Sequence, residues 1–489
     1  MSSNNSLKTK TLAGLFWMYM ERIGAQVVSF IVSVVLARLL LPEQYGVISI
    51  VMVFINLCNV FVTSGWGKSL VQKKDADDVD FSSVFYFSFL FSVMLYSVLF
   101  FTAPTIARFY DMPILSPVLR VMGLRLIVAS FNTVQHARVT KAMQFKRYFF
   151  STLGGTIASA VVGIALAYAG CGVWALVAQY LTNTTVDTLI LFITVKWRPK
   201  WVFSFARLKI LLNFGWKMLA ASLVDTLYED FRSLYIGKLY SAADLAYYSK
   251  GKSYADLVVT NVNSSISSVL FPAISKVQSS IDSVKALTRR AMKTSAYILT
   301  PLLAGLAIVA EPLVTILLTE KWLPCVPYLQ ILCFNGALKP LHTANLQAIY
   351  AMGRSDIVLK IDVAKKVFGF TMVLIFARIS VLAMAFAGMA TGVVSLIANA
   401  VPNKKLFGYG FWEQIKDIIP YWLMSGVMML SVWGVSHLSI GNMYVALAIQ
   451  VLVGVITYIL LSVIFKVESF SYILNTIKSI VPKKKNTAG

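Results

Sequence analysis

Eight basic side chains lie within stretches of this chain that are otherwise apolar enough to cross a bilayer as helices: Arg22, Arg120, Arg125, Lys217, Arg232, Lys250, Lys252 and Lys339. A basic side chain at the bilayer centre costs about 2.5–3.5 kcal/mol on insertion scales. That cost is tolerated where the side chain faces water, a partner or a ligand. The eight residues therefore predict a hydrated, cationic interior, which suits an anionic cargo.

Acidic residues occur in the same apolar stretches, but there are fewer of them. Five acids lie at comparable depth: Glu21, Asp225, Glu229, Asp230 and Asp256. Since five acids cannot neutralise eight bases, we expect surplus positive charge to face water or ligand. Arginine is well suited to phosphate because its planar fork donates two hydrogen bonds at once, and lysine serves as a point charge.

A structural role stays open for each charged residue taken alone. Asp225, Glu229 and Arg232 recur at helical spacing, so they share one helix face and could form a salt-bridge ladder. Glu21 could neutralise a cation on a neighbouring helix. The functional interpretation rests on the eight cations as a set, because pairing with five acids still leaves a surplus of positive charge.

Composition places the chain among polytopic helical membrane proteins. It has 489 residues, of which 58% are hydrophobic, and its mean hydropathy is +0.74. Soluble domains contain roughly 45–50% apolar residues. Four scattered cysteines and three dispersed histidines predict no disulfide framework, metal site or cofactor. The fold class expected is all-α.

The apolar segments predict about fourteen membrane spans, because roughly twenty residues cross a bilayer as a helix. Each span is followed by a short polar connection or a tight turn. The predicted spans are 11–38, 46–67, 80–105, 114–137, 148–170, 172–195, 208–238, 245–272, 284–310, 324–352, 355–377, 380–401, 414–436 and 442–466.

The distribution of basic residues predicts the orientation. With both termini in the cytoplasm, most of the 44 basic residues fall in cytoplasmic loops, tails or adjoining helix ends. Only five fall on the outer side: Arg38, Arg108, Lys238, Lys321 and Arg378. That asymmetry follows the positive-inside rule. It also accounts for the net charge of +23 without nucleic acid as a partner.

Weak internal similarity predicts two six-helix lobes. Arg38-Leu39 precedes the turn at Pro42–Gly46, and Lys238-Leu239 precedes a similar turn at Ala242–Ala246. Repeated bundles are a common transporter plan. The predicted domains are an N-terminal lobe at 1–195, a cytoplasmic linker at 196–207, a C-terminal lobe at 208–401, and two extra helices with a basic tail at 402–489.

Several loose motifs, taken in order, resemble a known family. The first hairpin combines Leu36-Ala37-Arg38-Leu39-Leu40 with Pro42-Glu43-Gln44-Tyr45-Gly46, and Leu70-Val71-Gln72-Lys73 follows it. A second group runs from Glu311-Pro312-Leu313 through Glu320-Lys321-Trp322. Together they resemble the Wzx oligosaccharide flippases of the MOP superfamily, in particular the colanic-acid and teichuronic-acid exporters.

The resemblance implies a V-shaped fold of two pseudo-symmetric six-helix lobes with two further C-terminal helices. It implies a protein of the bacterial inner membrane that flips an undecaprenyl-diphosphate-linked oligosaccharide, alongside a polysaccharide polymerase and other export components. The residues expected to bind the diphosphate and glycan are Arg22, Arg125, Lys217, Lys250, Lys252 and Lys339. Those expected to balance charge or couple transport to H⁺ or Na⁺ are Glu21, Asp225, Glu229 and Asp256.

The sequence leaves three other functions open. A multidrug/cation antiporter of the same superfamily would need an acid-lined cavity, which the surplus of bases disfavours. A lipid II flippase would share a cationic cavity and an anionic lipid cargo. A polyprenyl-linked polysaccharide polymerase would need catalytic groups on a sizeable outer loop, and the predicted outer loops are short and present no nucleophile–base pair. We therefore expect a transporter and assign no catalytic residue.

Overall fold

The computed structural model describes residues 2–63, 65–438 and 440–480, and within them the chain forms seventeen α-helices. They are α1 (Ser2–Leu39), α2 (Pro42–Thr63), α3 (Trp66–Gln72), α4 (Asp78–Phe109), α5 (Leu115–Lys141), α6 (Lys146–Tyr168), α7 (Val173–Thr194), α8 (Phe205–Leu239), α9 (Ala242–Lys276), α10 (Ile281–Ile308), α11 (Ala310–Leu318), α12 (Val326–Ala351), α13 (Ser355–Phe376), α14 (Val381–Phe407), α15 (Phe411–Ser436), α16 (Met443–Ile464) and α17 (Glu468–Ile480).

Each of the fourteen predicted spans lies mostly on one of the long helices, which confirms the all-α membrane fold. Eleven helices in the described residues are long and apolar enough to cross a membrane. A twelfth is added if α8, which bends by 48° between Asn213 and Gly215, is one span. The predicted count of fourteen stays a prediction.

The chain forms two compact units, residues 1–246 and 247–489. The first contains α1–α8 and the first turn of α9, and the second contains the rest of α9 and all later helices. The lobe and linker boundaries predicted from the sequence stay a prediction.

Glycines allow close helix approach at both ends of α2 within the first unit. A Cβ added at Gly46 would lie 1.8 Å from the carbonyl oxygen of Ala242, so only glycine fits there. Near the other end, a Cβ at Gly65 would lie 3.1 Å from the carbonyl oxygen of Gly215 in α8. These two contacts hold the ends of α2 against α9 and α8.

The α2 helix ends earlier than the predicted span 46–67, and a separate short helix follows it. The indole of Trp66 turns back to donate a hydrogen bond to the Phe61 carbonyl at 2.8 Å. That carbonyl belongs to the last turn of α2, where backbone acceptors have no partner within the helix. The chain then continues as α3, whose Ser69 hydroxyl lies 3.1 Å from the Leu211 carbonyl of α8.

A charged cluster holds the segment before α8 against the start of α4 within the first unit. Asp77 caps α4 by accepting hydrogen bonds from Val79 and Asp80, and its carboxylate lies 2.5 Å from the Arg207 guanidinium. That ion pair lowers the pKa of Asp77 to about 2. Asp78 pairs with Lys200 and also accepts from the Trp197 indole. The predicted linker is therefore anchored along its length, at Trp197, Lys200 and Arg207.

The second unit has its core where α10 packs against α12 and α15. Arg289 of α10 makes a two-pronged ion pair with Asp417 of α15, with N–O distances of 2.7 and 2.6 Å. The Tyr409 hydroxyl donates to the same carboxylate at 2.9 Å. This carboxylate has a partner on each oxygen, so we interpret the pair as structural.

Candidate functional site in the first helical unit

A polar stripe runs along α7, in the middle of an apolar span. Gln179, Asn183 and Asp187 recur every four residues, so they lie on one helix face. Tyr180 and Thr184 follow the same spacing beside them. A helix polar along one side in a membrane protein faces a partner or a water-filled space. This face of α7 therefore marks the interior of the first unit.

Glycines of α6 let this polar face of α7 pack closely. A Cβ added at Gly155 would lie 2.8 Å from the backbone oxygen of Asn183 and 3.2 Å from the Cβ of Asp187. Two turns later, a Cβ at Gly163 would lie 3.0 Å from the Cβ of Gln179. The small residues of α6 thus fix the position of the three polar residues of α7.

An inner cavity of about 560 Å³ lies among α2, α3, α5, α6 and α7. The residues that line it include two cations, Arg125 and Lys68, together with His136. No carboxylate lines it within the described part of the chain. Its other polar lining residues are hydroxyls and amides, among them Asn59, Thr63, Gln72, Asn132, Thr140 and Thr184.

Arg125 of α5 is the central cation of this cavity. Its Nε donates to the Thr184 hydroxyl at 2.8 Å, and Nη1 lies 3.8 Å from the Met52 sulfur. Its guanidinium carbon lies 5.7 Å from the Tyr180 ring centroid. In the part of the chain that the structure describes, no carboxylate pairs with Arg125. The guanidinium has five N–H donors, so several remain for an anion.

Lys68 of α3 adds a second cation to the same cavity. Its side chain is exposed and contacts no acid among the described residues. It lies just beyond the predicted span 46–67 and is not among the predicted site residues. An anion in the inner cavity would thus meet a fork-shaped donor and a point charge.

Asp187 forms an acidic cluster behind the cavity wall. Its Oδ2 accepts a hydrogen bond from Asn132 at 2.7 Å and lies 3.9 Å from Nε2 of His136. Glu21 of α1 lies close to Thr152 and within electrostatic range of Asp187 and His136. The cluster thus brings two carboxylates and one imidazole close together.

An outer cavity of about 320 Å³ lies among α1, α2, α5, α6 and α7. Arg125 lines this cavity as well as the inner one, so the two cavities meet at its side chain. Uncharged polar residues make up most of the remaining lining: Ser29, Ser33, Thr156, Ser159, Gln179 and Asn183.

The predicted lysines of α9 and α12 lie in the second unit. Lys250 is buried, and its Nζ lies 5.4 Å from the ring centroid of Trp322, which is fully buried. Lys252 is half-buried one residue beyond Gly251. Lys339 forms an ion pair with Asp256, with a distance of 2.7 Å between Nζ and Oδ1. Lys339 is thus a neutralised cation.

The predicted residues of α8 are more exposed than the others. Lys217, Asp225 and Glu229 are exposed, whereas Arg232 is half-buried. Asp230 lies one residue from this face and is 3.4 Å from the Asn56 amide of α2. Half-buried Arg22 of α1 lies next to Glu21 in the chain. The predicted binding set is thus divided between the two units.

Sequence reasoning missed several residues of these cavities, and the omission has a definite cause. Asp187 lies well inside the predicted span 172–195, but it was left out of the count of buried acids. The four-residue spacing of Gln179, Asn183 and Asp187 could have revealed it. No comparable signal exists for His136 or Lys68, because only the tertiary fold brings them to the cavity.

Fold and site together define a polytopic membrane protein with an arginine-bearing polar interior, as expected of a transporter. The chain belongs to the polysaccharide biosynthesis protein family, whose model matches residues 35–327.

Curated relatives agree with this family. The chain is 25% identical to the lipopolysaccharide biosynthesis protein WzxC of Escherichia coli strain K12, over 74% of each chain. It is also 25% identical to the teichuronic acid biosynthesis protein TuaB of Bacillus subtilis strain 168, over 83% of this chain and 85% of TuaB.

Solved structures share the fold. The lipid II flippase MurJ in an inward closed conformation matches with a TM-score of 0.77 over 92% of this chain and 98% of its own, at 15% identity. An inward-facing MATE transporter of the MOP superfamily matches with a TM-score of 0.61 over 78% of this chain and 95% of its own, also at 15% identity. At such low identity the likeness shows the fold alone.

Proposed function

We propose that this protein moves a polyprenyl-diphosphate-linked oligosaccharide from the inner to the outer leaflet of the bacterial inner membrane by exposing its site to each side in turn. The observation that carries the proposal is the inner cavity, where Arg125 and Lys68 have no carboxylate partner among the described residues. The relatives' names, which refer to lipopolysaccharide and teichuronic acid biosynthesis, support the substrate class.

The charges of the inner cavity fit a diphosphate better than a cation. A diphosphate loses water when it enters a protein, and donors fixed in the cavity replace that water. Arg125 supplies a planar fork and Lys68 a mobile ammonium group. A cation antiporter would instead place carboxylates in the lining, and the described lining has none. The proposed function includes no covalent step.

The remaining predicted cations differ in how much we expect them to contribute to substrate binding. Lys250 and Lys252 remain proposed contacts for the diphosphate or glycan, as do Arg22 and Lys217. Lys339 contributes less, because Asp256 already neutralises it at 2.7 Å.

We extend the proposal to ion coupling through the acids of the first unit. Glu21 and Asp187 lie near each other and near His136, so proton or Na⁺ binding there would change the charge behind Arg125. Asp225, Glu229 and Asp256 stay proposed as charge-balancing groups. Transport by proteoliposomes with an imposed pH gradient or an imposed Na⁺ gradient would identify the ion.

Orientation and partners complete the proposal. Both termini face the cytoplasm, as the distribution of basic residues predicts. A polymerase that uses the flipped oligosaccharide would act on the outer side. Labelling of single cysteines placed near residues 75 and 240 from each side of the membrane would test the orientation.

The decisive experiment measures leaflet accessibility of the lipid-linked oligosaccharide in vesicles with the wild-type protein and the Arg125→Gln variant. We expect the wild type to expose the glycan on the opposite side and Arg125→Gln to lose most of that activity. Arg125→Lys should retain part of it, since a charge remains without the fork.

The matched control is Arg120→Gln, on the same helix. The Arg120 guanidinium donates to the Phe100 carbonyl at 3.2 Å and lies over the Phe100 ring, and Arg120 lines neither cavity. We expect this variant to transport at a rate close to the wild type. Full transport by Arg125→Gln at normal protein levels would overturn the proposed role of the inner cavity.

A further inference from the structure

The outer cavity differs in chemistry from the inner one. Within the described part of the chain, Arg125 is the one charged residue that lines it, and the other polar groups are hydroxyls and amides. Its volume of about 320 Å³ lies at the lower end of small-molecule sites, roughly 300–1,000 Å³. It therefore suits a small, uncharged and strongly hydrogen-bonding group.

Two amide side chains are available in this cavity. Gln179 and Asn183 both line it, and no described residue hydrogen-bonds to either side-chain amide. A side-chain amide offers two donors and one acceptor with two lone pairs. Neutral groups that both donate and accept, above all the hydroxyls of a sugar, would satisfy these amides.

Other ligand classes fit the outer cavity poorly. A cation would meet Arg125 and no carboxylate. A hydrocarbon chain would leave the amides of Gln179 and Asn183 without hydrogen bonds, and buried amides are costly to leave unsatisfied. A second phosphate would have only the guanidinium that the inner cavity already uses.

The position of the outer cavity connects it to the proposed cargo. Arg125 lines both cavities, so a diphosphate held by the guanidinium would have the outer cavity beside it. The sugar attached directly to that diphosphate is the part of the cargo within reach. The aromatic rings of Tyr45 and Tyr180 in the lining could pack against the apolar face of such a sugar.

We infer that the outer cavity is a sugar subsite, which binds the glycan unit next to the diphosphate through Gln179 and Asn183. This inference rests on the proposed function and adds to it a means of selecting glycosylated lipid over bare lipid diphosphate. Gly163 of α6 supports the subsite, because its missing side chain makes room for Gln179.

The test compares the affinity of the purified protein in nanodiscs for two lipids. One is undecaprenyl diphosphate, and the other is the undecaprenyl-diphosphate-linked oligosaccharide extracted from source cells that lack this transporter. We expect the Gln179→Leu/Asn183→Leu variant to bind the glycosylated lipid on the order of tenfold more weakly, the effect of losing one or two hydrogen bonds. Its affinity for undecaprenyl diphosphate should not change.

Two further variants make the result interpretable. Thr182→Val changes a neighbouring residue of α7 that lines neither cavity, so both affinities should stay at the wild-type level. Arg125→Gln should weaken binding of both lipids together. A melting temperature close to that of the wild type shows that the double variant is folded.

The outcomes separate the subsite from the proposed function. If the wild type binds neither lipid, the proposed function fails. If it binds both lipids equally, or if the double variant weakens both to the same extent, the sugar subsite is wrong while the proposed function stands. A selective loss of the glycosylated lipid supports both.

Discussion

Two basic residues within predicted spans show how the fold assigns different roles to similar side chains. Lys339 has a carboxylate partner, Asp256, at 2.7 Å. Arg125 has a hydroxyl at 2.8 Å and a sulfur at 3.8 Å, and neither neutralises it. The first cation is satisfied within the protein, whereas the second can still gain from an anionic ligand.

Because Lys339 and Asp256 are partners, their substitutions should not act independently. We expect Lys339→Gln and Asp256→Asn each to lower stability, and the double variant to lose less than the sum. The coupling should be about 0.2–1 kcal/mol, the usual size for pairs that water reaches. Thermal unfolding of the four proteins in detergent measures it. Strict additivity would show that the ion pair contributes nothing.

Asp77 makes a prediction about acid stability. The Arg207 guanidinium lowers its pKa from an ordinary 3.8 to about 2. The ion pair therefore stabilises the fold fully above about pH 4, and the contribution is lost as the pH falls through about 2. We expect the Asp77→Asn variant to have a lower melting temperature than the wild type at pH 5. Between pH 5 and pH 2.5 its melting temperature should fall by less than that of the wild type.

The control for this experiment is Asp75→Asn in the same loop, whose exposed carboxylate has no partner among the described residues. It should leave the acid profile unchanged. An identical profile for Asp77→Asn and the wild type would mean that the Arg207 pair does not stabilise the fold.

At the scale of single elements, the packing of α6 on α7 is what builds the site. Gly155 lies against the backbone of Asn183, and Gly163 lies against the side chain of Gln179. The two glycines are eight residues apart and therefore lie on nearly the same face of α6. A larger residue at either position would displace the polar face of α7 from the cavities.

Substitution of Gly155 should be more harmful than substitution of another helical glycine. The Cβ of Gly155→Ala would lie 2.8 Å from a backbone oxygen, which cannot rotate away. We expect a loss of about 1–3 kcal/mol, as for other overpacked sites, and weaker transport. Gly24→Ala is the control, since the nearest atom to its Cβ would be 3.8 Å away. It should be neutral or gain about 0.5–1 kcal/mol. Equal melting temperatures for both variants would contradict the packing argument.

Sequence alone predicted the helices well because each membrane span is a local property. An apolar run of about twenty residues must satisfy its own backbone hydrogen bonds in lipid, so its length and hydropathy suffice. Local sequence does not determine which of Arg125 and Lys339 is left without a carboxylate partner. That depends on whether Asp256 reaches one lysine across 83 residues of chain, which only the tertiary structure determines.

The sequence predicted those site residues that are recognisable as charged residues in apolar segments. It missed those that reach the site only through the tertiary fold. Arg125 and Glu21 stood out as charged residues in apolar runs. Lys68 lies at a helix end, where basic residues are common and carry little information. Its place in the inner cavity follows from α3 packing against α5, a contact between residues far apart in the chain.

At the scale of the whole molecule, the first unit contains two cavities that meet at Arg125 and a helix, α2, that is held at both ends. Gly46 lies against Ala242 near one end, and Gly65 lies against Gly215 near the other. If the site is exposed to each side in turn, we expect one of these contacts to separate during transport. The contact at Gly65 lies beside α3 and is the nearer to the inner cavity.

The Gly65–Gly215 contact can be locked by a disulfide. A Cβ at Gly65 would lie 3.1 Å from the Gly215 carbonyl oxygen, and one at Gly215 would lie 2.9 Å from the Gly65 carbonyl oxygen. The two backbones are therefore close enough to attempt a Gly65→Cys/Gly215→Cys bridge, at the cost of a small local shift. In a background without the native cysteines, we expect oxidation to abolish flipping of the lipid-linked oligosaccharide and reductant to restore it, because α2 and α8 could no longer separate. Each single-cysteine variant serves as a control and should respond to neither reagent. Undiminished flipping by a fully cross-linked protein would mean that the Gly65–Gly215 contact stays closed throughout the transport cycle, and the moving part would then have to be sought at Gly46.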